Sequence, residues 1–537
     1  MTLLASFLSV LFHALVLIGL SMAVGGLVFL LAVLLPLADN DSAARLAIRR
    51  SLIVLVWGAA LLALGQALGL LMELWALADV SGEWPIAAFF STEFVHAGLL
   101  HIALALALAF SGAWLVKQPS RRAIWAASIA AAILLMISGA WLVHAVSRLE
   151  DSVPLMVTTV LHQLSAAVWV GGIIQLVTLW RQTRNGTGAS LWPRVLARFS
   201  PLALLAVLPL IGTGVYLWWG YIGDWEGLIG TAYGVMVLTK VVLLLTALSL
   251  GAMNFLLTRR WARQGDTLGV LYRVPFFVEA EMSIVIVVLL TAAALTSLPP
   301  SIDVAPEKAA PAEVWEALKP GKPRLTPPPR QEYLASSTSS FDLLAQQNAL
   351  DKMQSEFNHN VSGVLVLIVG LAAMLDRTGK FPWTRQWPLL FILLAVFLIL
   401  VGEPNGWPLG YEGFWETLVI PSVIQHRLST LVVVGLALFE WRVRAGGLAE
   451  TRWRYVFPLL CLTGGALLLT HSHTLLFTKS QFLIEVSHSL LGFFAVMMGA
   501  GRWLELRLPP PTNRLPGWIW TISLVMVGVV LLFYREV

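Results

Sequence analysis

The sequence predicts an all-α, polytopic membrane protein with about fourteen transmembrane helices. Of its 537 residues, 58% are hydrophobic and only 12% are charged, whereas a soluble domain carries roughly 25% charged residues. Many apolar stretches reach the length of about 20 residues that a helix needs to cross a bilayer. The alternating pattern of a β-barrel is absent, so helices must satisfy the backbone hydrogen bonds within the lipid.

The predicted helices follow each other with short connectors, apart from one long interruption. The first one has neither a basic leader nor a small-residue cleavage site, so we expect it to be retained in the membrane. The expected spans are residues 8–37, 52–78, 94–116, 123–146, 155–180, 199–222, 233–257, 274–298, 360–376, 386–402, 419–439, 455–471, 484–504 and 516–533.

Charge alternates from one connector to the next. Arg45, Arg49 and Arg50 occupy the first connector, whereas Asp79 and Glu83 occupy the second. The same alternation continues along the chain, and basic connectors remain in the cytoplasm. We therefore expect both termini to be periplasmic. The protein would be a multi-pass protein of a bacterial inner membrane, surrounded by lipid.

Residues 299–358 form the one long connector, rich in Pro, Ala, Ser and Gln. This composition favours an extended or partly disordered linker, and the topology places it in the periplasm. It divides the chain into an eight-helix membrane domain, residues 1–298, and a six-helix membrane domain, residues 359–537.

All ten histidines fall near the outer face of this topology. They are His13, His96, His101, His144, His162, His359, His426, His471, His473 and His488. Histidine inside a membrane helix is costly unless it is paired or functional. Neutral imidazole is a common ligand for copper and zinc, and it also binds haem iron. The alternative is that these side chains only contact headgroups, water or backbone carbonyls.

Spacing along each helix sorts the histidines in part. His96 and His101 are five residues apart, about 140° around a helix, so they face different ways. We expect pairs across helices instead, for example His144 with His162 or His426 with His488.

Four other polar residues are candidates to support the histidines. Glu93 and Glu485 each precede a histidine by three residues, a spacing that shares a helix face. Lys240 lies within a membrane helix, and Glu73 is its expected carboxylate partner. The one cysteine, Cys461, rules out a disulfide framework and any cysteine-based metal cluster.

Several ordered segments resemble the copper resistance protein CopD family. The segments are His162-Gln-Leu-Ser-Ala-Ala-Val-Trp169-Val-Gly171-Gly172, Arg198-Phe-Ser-Pro-Leu-Ala, Gly212-Thr-Gly214, and Leu228-Ile-Gly230-Thr-Ala-Tyr233-Gly234 with Lys240. The second half resembles a membrane extension of some CopD-like proteins. Its segments are Asn358-His359-Asn360, Glu403-Pro-Asn-Gly-Trp407, Gln425-His426-Arg427, Leu469-Thr-His471-Ser-His473 and Glu485-Val-Ser-His488.

The resemblance implies an inner-membrane protein that takes copper from the periplasm, with copper at the outward histidines. Some relatives have an N-terminal soluble copper-binding domain that this chain lacks, so we expect a separate periplasmic copper-carrier protein as a partner. The lack of Cys and Met-rich motifs, which Cu(I) prefers, leaves the oxidation state open.

Two alternatives remain from the residues alone. Histidines on neighbouring helices also suit a b-type haem in a membrane redox protein, and a membrane scaffold or assembly factor would need no metal. In the copper interpretation the protein is not an enzyme. Without a P-loop signature we expect no ATP hydrolysis, and arginines in short loops give no indication of nucleic acid binding.

Overall fold

The computed structural model describes residues 2–38, 42–142, 152–183, 191–265, 267–336, 349–470 and 479–536. These residues form helices and connectors without a named strand, and thirteen of the helices are long and apolar enough to cross a membrane. The predicted class, an all-α polytopic membrane protein, is confirmed. The expected helix over 455–471 is observed as a 14-residue helix, Val456–Leu469, and is shorter than each of these thirteen spans.

The first half contains eight long helices. The first, α1, becomes π-helical at Ser21–Gly25 and continues in short helical segments to Leu37. In chain order the helices are α1 Thr2–Leu20, α2 Ser42–Ser81, α3 Glu93–Lys117, α4 Arg122–Gly139, α5 Ser152–Thr183, α6 Leu191–Tyr221, α7 Ala232–Gln264 and α8 Val274–Leu295.

The long connector is more ordered than its composition predicts. Its described residues carry two short helices, α9 Pro311–Leu318 and α10 Arg330–Ser336. Lys308 pairs with Asp224 of the first half at 3.0 Å, and Glu313 pairs with Lys479 of the second half at 2.6 Å. Residues 299–336 therefore lie across one end of both halves, which we call the linker end. Burial and ion pairs, rather than composition, determine this order.

The second half contains six further helices. They are α11 Ala349–Arg377, α12 Leu390–Val401, α13 Pro421–Arg444, α14 Val456–Leu469, α15 Lys479–Arg507 and α16 Arg514–Leu532. Helix α12 follows a 3-10 helical segment, Pro382–Leu389. Helix α11 begins eleven residues before the predicted span, because Gln354 and Asn360 are buried and extend the packed surface towards the linker end.

Close helix packing in the first half depends on glycine. A Cβ atom on Gly25 would lie 1.8 Å from the carbonyl oxygen of Ala167, and one on Gly171 would lie 2.1 Å from that of Ser21. No larger residue fits such backbone contacts, which small residues allow between membrane helices. These glycines fix α5, the helix that carries His162, against the end of α1.

The two halves contact each other at the end opposite the linker. The Arg507 guanidinium of α15 binds both carboxylate oxygens of Glu279 in α8, at 2.7 and 2.9 Å, and the Trp503 indole donates to the same carboxylate at 3.1 Å. Glu279 is 3% exposed. This paired carboxylate ties the halves together.

Candidate functional site

A cavity of about 790 Å³ opens among the first-half helices at the linker end. Its wall includes residues from α1, α2, α3, α5, α6, α7 and α8. The charged, imidazole and amide side chains that line it are His13, Gln66, Glu73, Glu93, His101, His162, Gln163 and Lys240. Six residues predicted from sequence as ligands or supporting groups are therefore brought to one place by five helices.

His101 is held by a serine on the adjacent helix α4. Its Nδ1 lies 2.9 Å from Ser138 Oγ, and that hydroxyl donates its proton to the Leu135 carbonyl at 2.9 Å. Because a hydroxyl has a single proton, Ser138 Oγ must accept from His101 Nδ1–H, and Nε2 carries the lone pair. His101 is only 4% exposed, so its ring orientation is fixed within the wall of the cavity.

His162 is held in the same way by a threonine of α6. Its Nδ1 lies 3.0 Å from Thr213 Oγ1. That hydroxyl donates its proton to the carbonyls of Pro209 and Leu210, at 2.6 and 3.2 Å. The Thr213 oxygen therefore accepts from Nδ1–H, and the lone pair again belongs to Nε2.

A glycine follows each of these hydroxyl residues and makes room for the ring. A Cβ on Gly139 would lie 3.4 Å from His101 Cε1, and one on Gly214 would lie 3.4 Å from His162 Cε1. The Nδ1–Cε1 edge of each ring thus faces a hydroxyl–glycine pair, and the Nε2 side points away from it. The dipeptides Ser138-Gly139 and Thr213-Gly214 were visible in the sequence, but nothing there connected them to a histidine.

The cavity is also lined by acidic and basic side chains. His13 lies close enough to His101 for an electrostatic interaction, and Lys240 lies close enough to His162 for one. The expected ion pair between Glu73 and Lys240 is not formed in the described part of the chain. Instead, Glu73 Oε1 accepts a hydrogen bond from Ser9 Oγ at 3.1 Å.

A second group of histidines lies at the linker end of the six-helix half. The rings of His359 in α11 and His488 in α15 meet edge to face, with centroids 5.8 Å apart and planes at 89°. His359 Nδ1–H donates to the Ser355 carbonyl at 2.8 Å. His426 in α13 pairs through Nδ1 with the Glu403 carboxylate. The expected pairing of His426 with His488 stays a prediction, and the ring contact that is observed joins His359 and His488.

Tyr534 stacks on His359, with ring centroids 4.0 Å apart. Burial raises the pKa of Tyr534 well above its ordinary value, and the nearby carboxylate of Glu536 acts in the same direction. Tyr534 is therefore a neutral phenol at physiological pH, which positions the imidazole rather than acting as an anionic ligand.

The other predicted residues divide into two groups. His96 is exposed and, unlike His101, does not line the cavity, as their five-residue spacing predicts. His144, His471 and His473 lie outside the described residues, as does the side chain of Glu485. Within the described ranges, no group of three His, Cys, Asp or Glu residues is arranged to hold a metal ion.

The fold and cavity define a helical membrane protein with a polar, histidine-lined chamber. Residues 193–295 match the family model described as Copper resistance protein D, which confirms the predicted resemblance for this segment. The chain is also 41% identical over 151 residues to the copper transport protein CutJ of Bacillus subtilis (strain 168). That match covers 27% of this chain and 26% of the relative. No solved structure matches the chain.

Proposed function

We propose that the protein takes up copper at the linker end of the membrane through the cavity of the eight-helix half. The observation that carries this proposal is that His13, His101 and His162, from three separate helices, line one cavity. Imidazole nitrogen is a good copper ligand in either common oxidation state. The copper ion is the cargo here, and no catalytic step is proposed.

The tautomers of two histidines support this role. His101 and His162 both direct Nδ1 to a hydroxyl, so both retain the Nε2 lone pair for a metal. An outer hydrogen bond of this kind fixes ring orientation and makes the imidazole a better ligand. Ligands held before copper arrives need little reordering, which suits a site that must bind and release.

Charge within the cavity suits a transient occupant. Glu73 and Glu93 would attract a cation, whereas Lys240 near His162 would oppose its long residence. A cation that is both attracted and repelled in one chamber can be exchanged more easily than one held by carboxylates alone. The cavity is therefore better suited to passage than to permanent storage.

The linker end would face the periplasm of an inner membrane. The basic connectors, such as that with Arg259, Arg260 and Arg263, lie at the other ends of the same helices, and basic connectors stay in the cytoplasm. Both the first turns of α1 and Tyr534 would then be periplasmic. A periplasmic copper-carrier protein is the expected donor of the ion.

The test combines copper accumulation in bacterial cells with the metal content and visible spectrum of the purified protein. We expect the double substitution His101→Ala, His162→Ala to reduce copper accumulation to that of cells without the protein. The matched control is His96→Ala, an exposed histidine outside the cavity, which should leave accumulation unchanged. Equal accumulation by the double variant and the native protein would refute the proposal. A Soret band with stoichiometric iron would instead identify a haem protein.

A further inference from the structure

We propose that Glu281 in α8 is a proton-binding site inside the eight-helix half, and that release of its proton lets the copper ion pass. Glu281 is 3% exposed. Ala292 of the same helix lines the cavity and lies eleven residues, or about 16 Å of helix, closer to the linker end. The site is therefore deeper in the membrane than the cavity. Its role in copper passage rests on the proposed function, whereas the bound proton does not.

Two buried glutamates of α8 differ in their partners. Glu279 pairs with Arg507 at 2.7 Å, whereas Glu281 forms no ion pair with any residue that the structure describes. Glu281 Oε2 accepts a hydrogen bond from Asn254 Nδ2 of α7 at 2.9 Å. An amide carries no charge to balance an ionised carboxylate. Because an isolated ionised carboxylate is very costly in an apolar interior, the group takes up a proton instead.

Asn254 is arranged to bind an acid rather than a carboxylate. It is 8% exposed, and its Oδ1 is buried with no hydrogen-bond donor in the described part of the chain. An amide and a carboxylic acid can form two parallel hydrogen bonds, since the amide N–H donates to one carboxyl oxygen and the acid O–H donates to the amide oxygen. A proton on Glu281 therefore supplies the donor that Asn254 Oδ1 lacks, which an ionised carboxylate cannot do.

Two other helical positions adapt the site to the carboxyl group. A Cβ on Gly251 would lie 3.0 Å from Glu281 Oε1, so the glycine leaves room for this oxygen. Gly251 precedes Asn254 by three residues, a spacing that shares one face of α7. Trp169 of α5 provides a further side-chain hydrogen bond to Glu281. It lies seven residues, or about two turns, from His162, so the helix that holds a cavity histidine also contacts the site.

The charged groups that the neighbouring helices carry towards this end of the membrane have other partners or are exposed. Arg507 binds Glu279, and Arg502 of α15 binds Glu440 and Glu505 at 2.7 and 2.6 Å. The arginines of α5, α7 and the start of α8 are exposed, and α14 adds one buried thiol; these residues are Arg181, Arg259, Arg260, Arg263, Arg273 and Cys461. The neutral acid is therefore the form of Glu281 that this environment stabilises.

The proton would control the charge of the interior. With the proton bound, Glu281 is neutral and offers a cation no counter-charge. When a copper ion enters from the cavity, the O–H bond of Glu281 breaks and the proton passes to water, because a nearby positive charge favours the ionised form. When the ion leaves, the carboxylate takes a proton from water again. Each passage thus releases one proton and takes up one.

Infrared spectroscopy of the purified full-length protein at neutral pH tests the bound proton. We expect the C=O band of a protonated carboxylic acid that is lost in Glu281→Gln and shifted to higher wavenumber in Asn254→Ala, which removes a hydrogen bond to this group. Glu226→Gln, an exposed carboxylate, is the control and should keep the band. If Glu281→Gln and the native protein have the same spectrum in this region, Glu281 is ionised and the proposal is wrong.

Thermal unfolding provides a second test of the same state. Glu281→Gln replaces one neutral group with another of the same shape, so we expect its unfolding temperature to equal that of the native protein. Glu279→Gln removes the counter-charge of Arg507 and should lower the unfolding temperature. An equal decrease in the two variants would show that both glutamates are ionised, which overturns the proposal.

Copper uptake into liposomes, with the same pH on both sides, tests the coupling. The ion is supplied as a soluble amino-acid chelate. We expect uptake by the native protein to rise from about pH 7 to 8, where histidine with its unperturbed pKa of about 6.5 is already mostly neutral, because the proton is then released more easily. Glu281→Gln should give the uptake of empty liposomes at both pH values, whereas Glu281→Asp keeps a titratable group and the rise with pH.

The outcomes separate the two proposals. Equal uptake by Glu281→Gln and the native protein at both pH values would refute the coupling of copper passage to this proton. A native protein that shows the infrared band of Glu281 but takes up no copper would refute only the proposed function.

Discussion

The two histidine groups at the linker end reach the same ring tautomer by different means. In the eight-helix half, His101 and His162 donate Nδ1–H to neutral hydroxyls beside glycines. In the six-helix half, His359 donates to a backbone carbonyl and His426 to a carboxylate. The histidine alone therefore does not define a site. The group that accepts the hydrogen bond from Nδ1 determines how much negative charge lies next to the imidazole.

The surroundings differ as well. The first group lines a cavity of about 790 Å³ that also contains Lys240, whereas in the second group His359 is packed between Tyr534 and His488. A spacious chamber of mixed charge suits exchange of an ion. The second group is packed, and its carboxylate, Glu403, is paired with His426.

The largest expected effect concerns the contact between the two halves. Glu279→Gln leaves the Arg507 guanidinium without its carboxylate counter-charge in a poorly hydrated place, so we expect a loss of about 3–5 kcal/mol in the free energy of unfolding. Thermal unfolding in detergent measures it. Glu226→Gln, an exposed carboxylate at the linker end, is the control. If the unfolding temperature of Glu279→Gln is no lower than that of this control, the halves are not held together by the ion pair.

The second prediction removes the hydroxyls behind the first-cavity histidines. Ser138→Ala or Thr213→Val should each weaken copper binding about 10–100-fold, because the ring loses its orientation and tautomer. Ser138→Thr should restore binding, and Ser128→Ala, a buried serine of the same helix, should have no effect. Unchanged copper affinity in Ser138→Ala, measured by competition with a chelator, would show that the serine only packs.

The third prediction tests the glycines. Gly139→Ala and Gly214→Ala place a methyl group 3.4 Å from the histidine ring, a distance of ordinary contact. We expect less than about a tenfold loss of copper affinity, since a small ring shift weakens the outer hydrogen bond. Copper titration at equilibrium measures this loss. Gly212→Ala, whose Cβ would meet nothing within 4 Å, is the matched control and should behave as the native protein.

The smallest expected effect lies where the linker meets the first half. The backbone N–H of Gly227 and the Lys308 ammonium lower the pKa of Asp224 below its ordinary value of 3.8. The folded state thus gains stability above about pH 4 and loses it as the pH falls through the lowered pKa. Lys308→Met removes the exposed ion pair and should cost no more than about 1 kcal/mol. Thermal unfolding of Lys308→Met and of the native protein at pH 7 and pH 3 checks this. A difference in stability between the two proteins that is larger at pH 3 than at pH 7 would contradict it.

Much of the fold could be predicted because the bilayer imposes simple rules. Apolar length locates most of the helices, and charge in the connectors indicates which ends share a side. Composition gave a wrong prediction for the long connector, because composition carries no information about tertiary contacts. Residues 299–358 were expected to form an extended or partly disordered linker, yet Lys308, Glu313 and Arg324 bind partners from both halves of the chain.

The sequence alone predicts that the histidines gather at one end of the helices and that His96 and His101 face different ways. Which side chains the histidines contact follows from the packing of helices that are distant in sequence. Ser138 lies 37 residues from His101, Thr213 lies 51 residues from His162, and Glu403 lies 23 residues from His426. Helical periodicity gives the direction in which a side chain points around the axis of its own helix. The neighbour that it meets depends on how helices pack, and this is set by close contacts such as that between Gly25 and Ala167.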